Sequence, residues 1–190
     1  MKILTTYREP GVGYWRPSWD AYFLGLAGAA ALRATCPRKR VGCVLVDAQH
    51  RFLSSGYNGP ASGAPNCVES PCAGAPCRGG QLVDCEAVHA EINALVACPD
   101  HRRVDTCYSV VEPCVKCVDA LLATSCRRVV YAFPYKEGDR ARARWERSRG
   151  HSVEMPTAGW TYCLAPTWRQ LSDVLEPDPD PWVTWEPPTT

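Results

Sequence analysis

The sequence predicts an α/β fold on two observations. Two short apolar runs, 41–46 and 52–55, flank Asp47-Ala48-Gln49-His50 as the strands of a hairpin flank their turn. From Thr106 to Phe133 the pattern then alternates strand, helix, strand. A chain of 190 residues holds one ordinary domain with residues left for extensions.

In chain order, Ser18 after Pro17 is placed to cap a helix. Trp19, Tyr22, Phe23, Leu26 and Ala30 recur at helical spacing as its apolar face, and the helix is expected to end near Cys36-Pro37. After the hairpin, Gly56-Tyr57-Asn58-Gly59-Pro60 is expected to break the second strand. Residues 61–84 carry glycine, proline and cysteine without periodicity, which describes a loop that something must pin. From Glu86 the spacing of Val88, Ile92, Leu95 and Val96 is helical and stops before Pro99, with His89 and Glu91 in the first turns. Residues 106–111 read as a strand, 114–124 as a helix and 128–133 as a strand. Beyond Lys136 the chain is basic over 140–149 and then mixes tryptophan, proline and acidic residues. One helix is expected over 164–175 and an irregular tail from Glu176, and Trp145, Trp160, Trp168, Trp182 and Trp185 are expected to pack against the core or a neighbouring subunit. The expected organisation is an N-terminal extension (1–16), a core domain (17–136) and a C-terminal extension (137–190).

The formal net charge of +1 leaves no global field to draw the chain onto nucleic acid or an anionic membrane, so a small substrate fits better. No apolar stretch reaches the roughly 18 residues of a membrane span. Twelve cysteines without a secretory signal read as thiols and metal ligands in a reducing compartment, and a cytoplasmic protein is expected.

The chemistry concentrates in two motifs. His89, Cys114 and Cys117 supply the three protein ligands of a catalytic zinc site, whose fourth position is left for water. Cys114 and Cys117 lie three apart at a predicted helix start, where both thiolates can face one point and the helix dipole favours their charge. Bound zinc brings the pKa of water from about 15.7 toward about 7, and Glu91 is placed to take the proton. The alternative, a purely structural zinc knuckle with a helix histidine nearby, leaves Glu91 unexplained. His-x-Glu followed by Pro-Cys-x-x-Cys resembles the signature of zinc nucleobase deaminases.

Around these motifs, Arg16-Pro17-Ser18-Trp19-Asp20, Leu32-Arg33-Ala34-Thr35-Cys36-Pro37-Arg38, Gly56-Tyr57-Asn58-Gly59-Pro60 and Val88-His89-Ala90-Glu91 resemble the deoxycytidylate (dCMP) deaminase family over about residues 16–136. The resemblance implies a three-layer sandwich with a mixed sheet of about five strands between helices, and hydrolysis of dCMP to dUMP and ammonia. It further implies that Asn58 binds the sugar 3′-hydroxyl, although Asn-Gly is also a common turn pair. The Ala90 amide would receive the base carbonyl, and Arg38, Tyr135 and Lys136 would meet the phosphate. A solvated basic run from Arg38 to Arg40 is the competing reading. Family members form hexamers, are activated by dCTP with Mg2+ and inhibited by dTTP, and use the loop Gly56, Tyr57, Asn58 and Gly59 as part of the effector site.

Cys36, Cys67, Cys72, Cys77 and Cys85 cluster around the unsupported loop, where four thiolates would close a structural zinc site. By resemblance, Cys36, Cys67, Cys72 and Cys85 match the positions of a second zinc, with Cys77 able to exchange for Cys67. Cys43, Cys98, Cys107, Cys126 and Cys163 are expected as small buried hydrophobes. Three other readings remain: a deaminase of another base or nucleoside, since Glu112-Pro113-Cys114 also resembles tRNA adenosine and riboflavin-pathway deaminases; one of 5-substituted dCMP, its pocket lined by the tryptophan-rich tail; and a binding module without turnover.

Overall fold

In the computed structural model, residues 18–75, 84–136 and 138–149 are described. The helix α1 (Trp19–Ala31) is followed by β1 (Gly42–Val46), β2 (Phe52–Tyr57), α2 (Ala90–Ala97), β3 (Thr106–Val111), α3 (Val115–Leu122), β4 (Arg128–Phe133) and α4 (Gly138–Arg149). The sheet order is β2-β1-β3-β4, with β1 antiparallel to β2 and β3, and β3 parallel to β4. Among the described residues the mixed sheet therefore has four strands, one fewer than the resemblance implied.

Alternation along β1 sorts its side chains into two cores. Val44 and Val46 face Phe23, Leu24, Ala27 and Ala31 of α1, while Cys43 and Leu45 face Ala90 and Ala94 of α2 and Val118 and Leu121 of α3. With helices on both faces, every residue of β1 and β3 is buried, as in a sheet covered on both sides. The result is the expected three-layer sandwich. Asp20 of α1 bridges the layers with a two-pronged bond to Arg128 of β4 (2.6 and 2.8 Å) and accepts from the Tyr108 hydroxyl at 2.8 Å.

Ser18 caps α1 as expected, its hydroxyl accepting from the Ala21 amide at 3.2 Å. The buried seam of α1 differs from the expected one: Trp19 and Tyr22 are exposed, Leu26 and Ala30 half-buried, and Phe23, Leu24, Ala27 and Ala31 face the sheet. Close approach at Gly42 decides this, since a Cβ there would strike the Ala27 carbonyl, so the smallest stripe of α1 lies on the sheet. The helix stops at Ala31, before the expected Cys36, because the chain tightens into bonds from Arg33 to Ala30 and from Ala34 to Ala31.

Gly56 does not break β2, which runs through Tyr57. It pairs with Cys43 and lies where a Cβ would collide with the Ala90 carbonyl and the Ala94 amide, so the glycine lets α2 seat directly on the strand. The helix α2 starts at Ala90 rather than near Glu86, because Val88 is held extended by two backbone bonds with Gly59 (2.8 and 3.2 Å). The helix over 114–124 is likewise shorter, with Cys114 as its cap and Leu122 as its last residue.

The basic segment 140–149 is the helix α4, which the sequence did not predict, and its Trp145 packs fully buried, as expected, with Ala141 in the α2/α3 core. The expected helix over 164–175, Cys77, Cys163 and the tryptophans 160, 168, 182 and 185 lie outside the described residues. No helix among the described residues is long and apolar enough to cross a membrane.

Candidate active site

Two helix starts meet at one point. His89 is the cap residue of α2 and Cys114 that of α3, both in extended backbone, while Cys117 sits one turn into α3. Local sequence explains the meeting. The Val88–Gly59 bridge stretches the chain into α2, and Pro113 after β3 turns the chain into α3. The cap positions place both residues where the helix dipoles favour anionic ligands.

His89 Nδ1 lies 3.5 Å from Cys114 Sγ and 3.3 Å from Cys117 Sγ, and the two sulfurs are 3.7 Å apart. A tetrahedral zinc with Zn–S of about 2.3 Å and Zn–N of about 2.0–2.1 Å requires about 3.8 Å between sulfurs and about 3.6 Å between nitrogen and sulfur. The residues present thus fit zinc in donor type and in spacing. Among the described residues this is the one group whose ligand atoms all lie within 4.8 Å of one another.

Burial is graded across the site. His89 is exposed, Cys114 half-buried, and Cys117 and Glu91 are buried beneath them. The bond to Cys117 and the His89 ring beside it lower the Cys114 pKa, which favours the thiolate form that a metal binds. The hydrogen bond between His89 and Cys114 raises the His89 pKa, and the separate bond between Cys114 and Cys117, together with burial, pushes the Cys117 thiol up. Glu91 Oε2 stands 3.4 Å from Cys117 Sγ, and burial raises the carboxyl above its ordinary value. A buried carboxyl with a raised pKa, beside the corner that would hold the metal, is suited both to accept a proton and to return it.

The other predicted residues fall into three groups. Asn58 is buried and both halves of its amide brace the loop before β1: Oδ1 accepts from the Val41 amide at 2.7 Å and Nδ2 donates to the Lys39 carbonyl at 2.8 Å. Ala90 is buried at the first position of α2, where a helical amide has no intrahelical partner. Gly56 and Gly59 hold β2 and its following turn against α2 and Val88, with the Tyr57 side chain exposed between them.

Arg38 is half-buried and donates to the Gly74 carbonyl at 3.4 Å, Tyr135 donates its amide to Glu112 Oε2 at 3.0 Å, and Lys136 is exposed.

The third group is the second set of cysteines. The free thiols of Cys67 and Cys72 share a hydrogen bond, with Cys36 close by, and the Glu86 amide foremost, with those of Gly74 and Ala75, lowers the Cys72 pKa. The Cys85 backbone lies so close to Gly74 that a Cβ there would come within 2.7 Å of it. Cys36, Cys67, Cys72 and Cys85 are therefore neighbours, but their sulfurs do not close into a mutual ligand set. Cys43, Cys98, Cys107 and Cys126 are buried as expected.

Sequence reasoning missed two contributors. Ser109 of β3 donates to Glu91 Oε1 at 3.3 Å, and Glu112 binds Arg142 of α4 at 2.9 Å as well as the Tyr135 amide. The one available signal for Ser109 was a small hydroxyl side chain at an inner position of the strand. Glu112 carried no signal beyond its place next to Pro113.

Residues 17–133 match the family model of the cytidine and deoxycytidylate deaminase zinc-binding region. The deoxycytidylate deaminase of Mycobacterium phage D29 is 41% identical over 123 residues, covering 61% of this chain and 95% of the relative. That of Schizosaccharomyces pombe is 39% identical over 130 residues, covering 63% of this chain. The chain spans only 38% of the length of that fission-yeast relative and 44% of its Saccharomyces cerevisiae counterpart. A crystal structure of dCMP deaminase from the cyanophage S-TIM5, in complex with dCMP and dUMP, superposes with a TM-score of 0.59 at 23% identity, covering 75% of this chain and 100% of that one. At that identity the likeness speaks for the fold.

Proposed function

Because the chain belongs to the cytidine and deoxycytidylate deaminase family, with the zinc-binding region spanning residues 17–133, we propose that it hydrolyses dCMP to dUMP and ammonia. The observation that carries this reading is the corner of His89, Cys114 and Cys117 at tetrahedral spacing, with a buried carboxylate, Glu91, 3.4 Å from one of its sulfurs.

Zinc held by His89 Nδ1, Cys114 Sγ and Cys117 Sγ would supply a water ionisable near neutral pH. Glu91 accepts the proton of the water that attacks C4 of the base, delivers it to N3, and then carries the proton of the new C4 hydroxyl to the departing amine, which leaves as ammonia while the C4 carbonyl forms. The carboxyl serves first as base and then as acid, which its raised pKa favours. The free amide of Ala90 donates to the base carbonyl and orients the ring above Glu91. Water is limited at the floor because Cys117 and Glu91 are buried there.

Asn58 contacts the sugar 3′-hydroxyl with the donor and acceptor capacity that its bonds to Val41 and Lys39 leave over. Arg38, Tyr135 and Lys136 meet the monophosphate. Around Cys72, with its lowered pKa and its Cys67 and Cys36 neighbours, Cys85 completes a structural zinc site once metal draws the sulfurs in. The enzyme is a cytoplasmic homo-oligomer, a hexamer by family resemblance, with dCTP and Mg2+ as activator and dTTP as inhibitor acting through Gly56, Tyr57, Asn58 and Gly59.

Rates on dCMP, dCTP, cytidine and adenosine, measured side by side with and without added dCTP and dTTP, test the assignment. Turnover of dCMP above the others is expected. Turnover of cytidine with none of dCMP would overturn it.

A further inference from the structure

Glu91 has two carboxylate oxygens with different surroundings. One, Oε2, stands 3.4 Å from Cys117 Sγ at the metal corner, and the other, Oε1, accepts from the Ser109 hydroxyl at 3.3 Å. Ser109 is fully buried in β3, an inner strand of the sheet, where it is paired with Cys43 of β1 on one side and Tyr131 of β4 on the other. Ladder bonds from both sides fix its backbone, so the hydroxyl is a donor anchored to the most constrained part of the fold.

The surroundings make the bond selective. Around Ser109 the interior is apolar or thiol, with Cys43 and Cys107 beside it and their sulfurs 3.5 Å apart. A hydroxyl in such a place needs a strong acceptor to offset its desolvation, and an ionised carboxylate is the strongest near it. Glu91 gains as well. The last torsion of a glutamate side chain is broad and roughly two-fold, so packing alone does not set the plane of the carboxylate. The Glu91 backbone amide also bonds the carboxylate locally, and the Ser109 hydroxyl, a donor fixed to the sheet on Oε1, completes the alignment that aims Oε2 at the metal corner.

We propose that Ser109 is a positioning residue for proton transfer: its hydroxyl fixes the carboxylate plane of Glu91 so that Oε2 faces the reacting water. This inference rests on the deaminase reading and adds a residue that neither the metal motifs nor the substrate contacts include. A misaligned carboxylate slows the transfer of protons without weakening the hold on the nucleotide, so the effect belongs in kcat and not in KM.

The test compares Ser109→Ala and Ser109→Thr with the unaltered zinc-loaded protein. In Ser109→Ala, kcat on dCMP is expected to fall about tenfold, in line with the loss of one hydrogen bond to a charged group. KM, zinc content and melting temperature should hold, and Ser109→Thr, which keeps the hydroxyl, should recover most of the rate. An independent readout needs no turnover: the Cδ resonance of Glu91 in 13C-labelled protein, assigned by its disappearance in Glu91→Gln, should shift in Ser109→Ala and return toward its original position in Ser109→Thr. An unchanged kcat, an unmoved resonance, or a loss tracking zinc content or melting temperature would overturn the proposal. Absence of dCMP turnover in the unaltered protein would instead refute the functional reading, with the resonance still reporting on Ser109.

Discussion

Glu112 and Arg142 form a link across the protein: the buried carboxylate directly before the metal-binding loop is paired at 2.9 Å with a half-buried guanidinium from α4. The other Glu112 oxygen holds the Tyr135 amide, and Gly138 packs so closely that a Cβ would overlap the carboxylate. One residue thus ties the Cys114 loop, the turn after β4 and the start of α4. Arg142→Met removes the countercharge while keeping the packing, leaving a buried carboxylate with the Tyr135 amide but without its charge partner. The expected loss is about 3 kcal/mol, read from denaturant unfolding of the zinc-loaded protein. The double change Arg142→Met with Glu112→Gln should be less destabilised than the sum of the two single changes, which is what a coupled pair requires.

Glu91→Gln separates chemistry from assembly. The side chain stays buried and nearly the same size, so zinc content and melting temperature should stay close to those of the unaltered protein. Loss of the proton carrier should lower kcat by at least about 10²–10⁴-fold. Metal analysis beside a rate assay checks it. A protein that worked only as a binding module would show no difference in ligand affinity between the two forms.

Two glycines should respond in opposite directions to the same change. At Gly56 an added methyl meets the backbone of α2, so Gly56→Ala should cost about 3 kcal/mol or more, or prevent folding. At Gly25, in the middle of α1, nothing lies within 4 Å of the added carbon, and Gly25→Ala should stabilise by about 0.5–1 kcal/mol. Thermal unfolding of both variants against the unaltered chain tests the pair.

Asp47 at the hairpin turn supplies an acid dependence. Burial opposes its charge, but the Arg51 amide, the Arg103 guanidinium, the Gln49 amide and the Arg51 guanidinium together outweigh burial and hold its pKa below the ordinary carboxylate range. A lowered folded-state pKa stabilises the fold above the unfolded value of about 3.9. That contribution disappears as pH falls through the folded value. The gap in melting temperature between the unaltered chain and Asp47→Asn should therefore be constant from about pH 5 upward and narrow below about pH 4. Metal loss in acid acts on both proteins and cancels in the difference.

The features legible in the sequence were those written in local spacing. His89 with Glu91, and Cys114 with Cys117, are each within three residues, so each pair is brought together locally where the chain enters a helix. The strands 106–111 and 128–133 were legible because both are short apolar runs bounded by polar residues. What stayed hidden depends on distant partners. The start of α2 is set by Val88 pairing with Gly59, and the role of Gly56 by the backbone of Ala90 and Ala94. The helix α4 buries little more than Ala141 and Trp145 on its inner side, so its arginines conceal the period. Ser109 reads as an ordinary strand residue until β3 is laid under Glu91.

The cap positions of His89 and Cys114 have a bearing on how errors are handled. Each ligand stands at the residue where a helix begins, so a shift of one position in either helix start would move a ligand out of reach. Metal capture therefore doubles as a proof of assembly: chains whose two helices have not found their places on the sheet cannot hold the ion, and misassembled copies are silent rather than erratic.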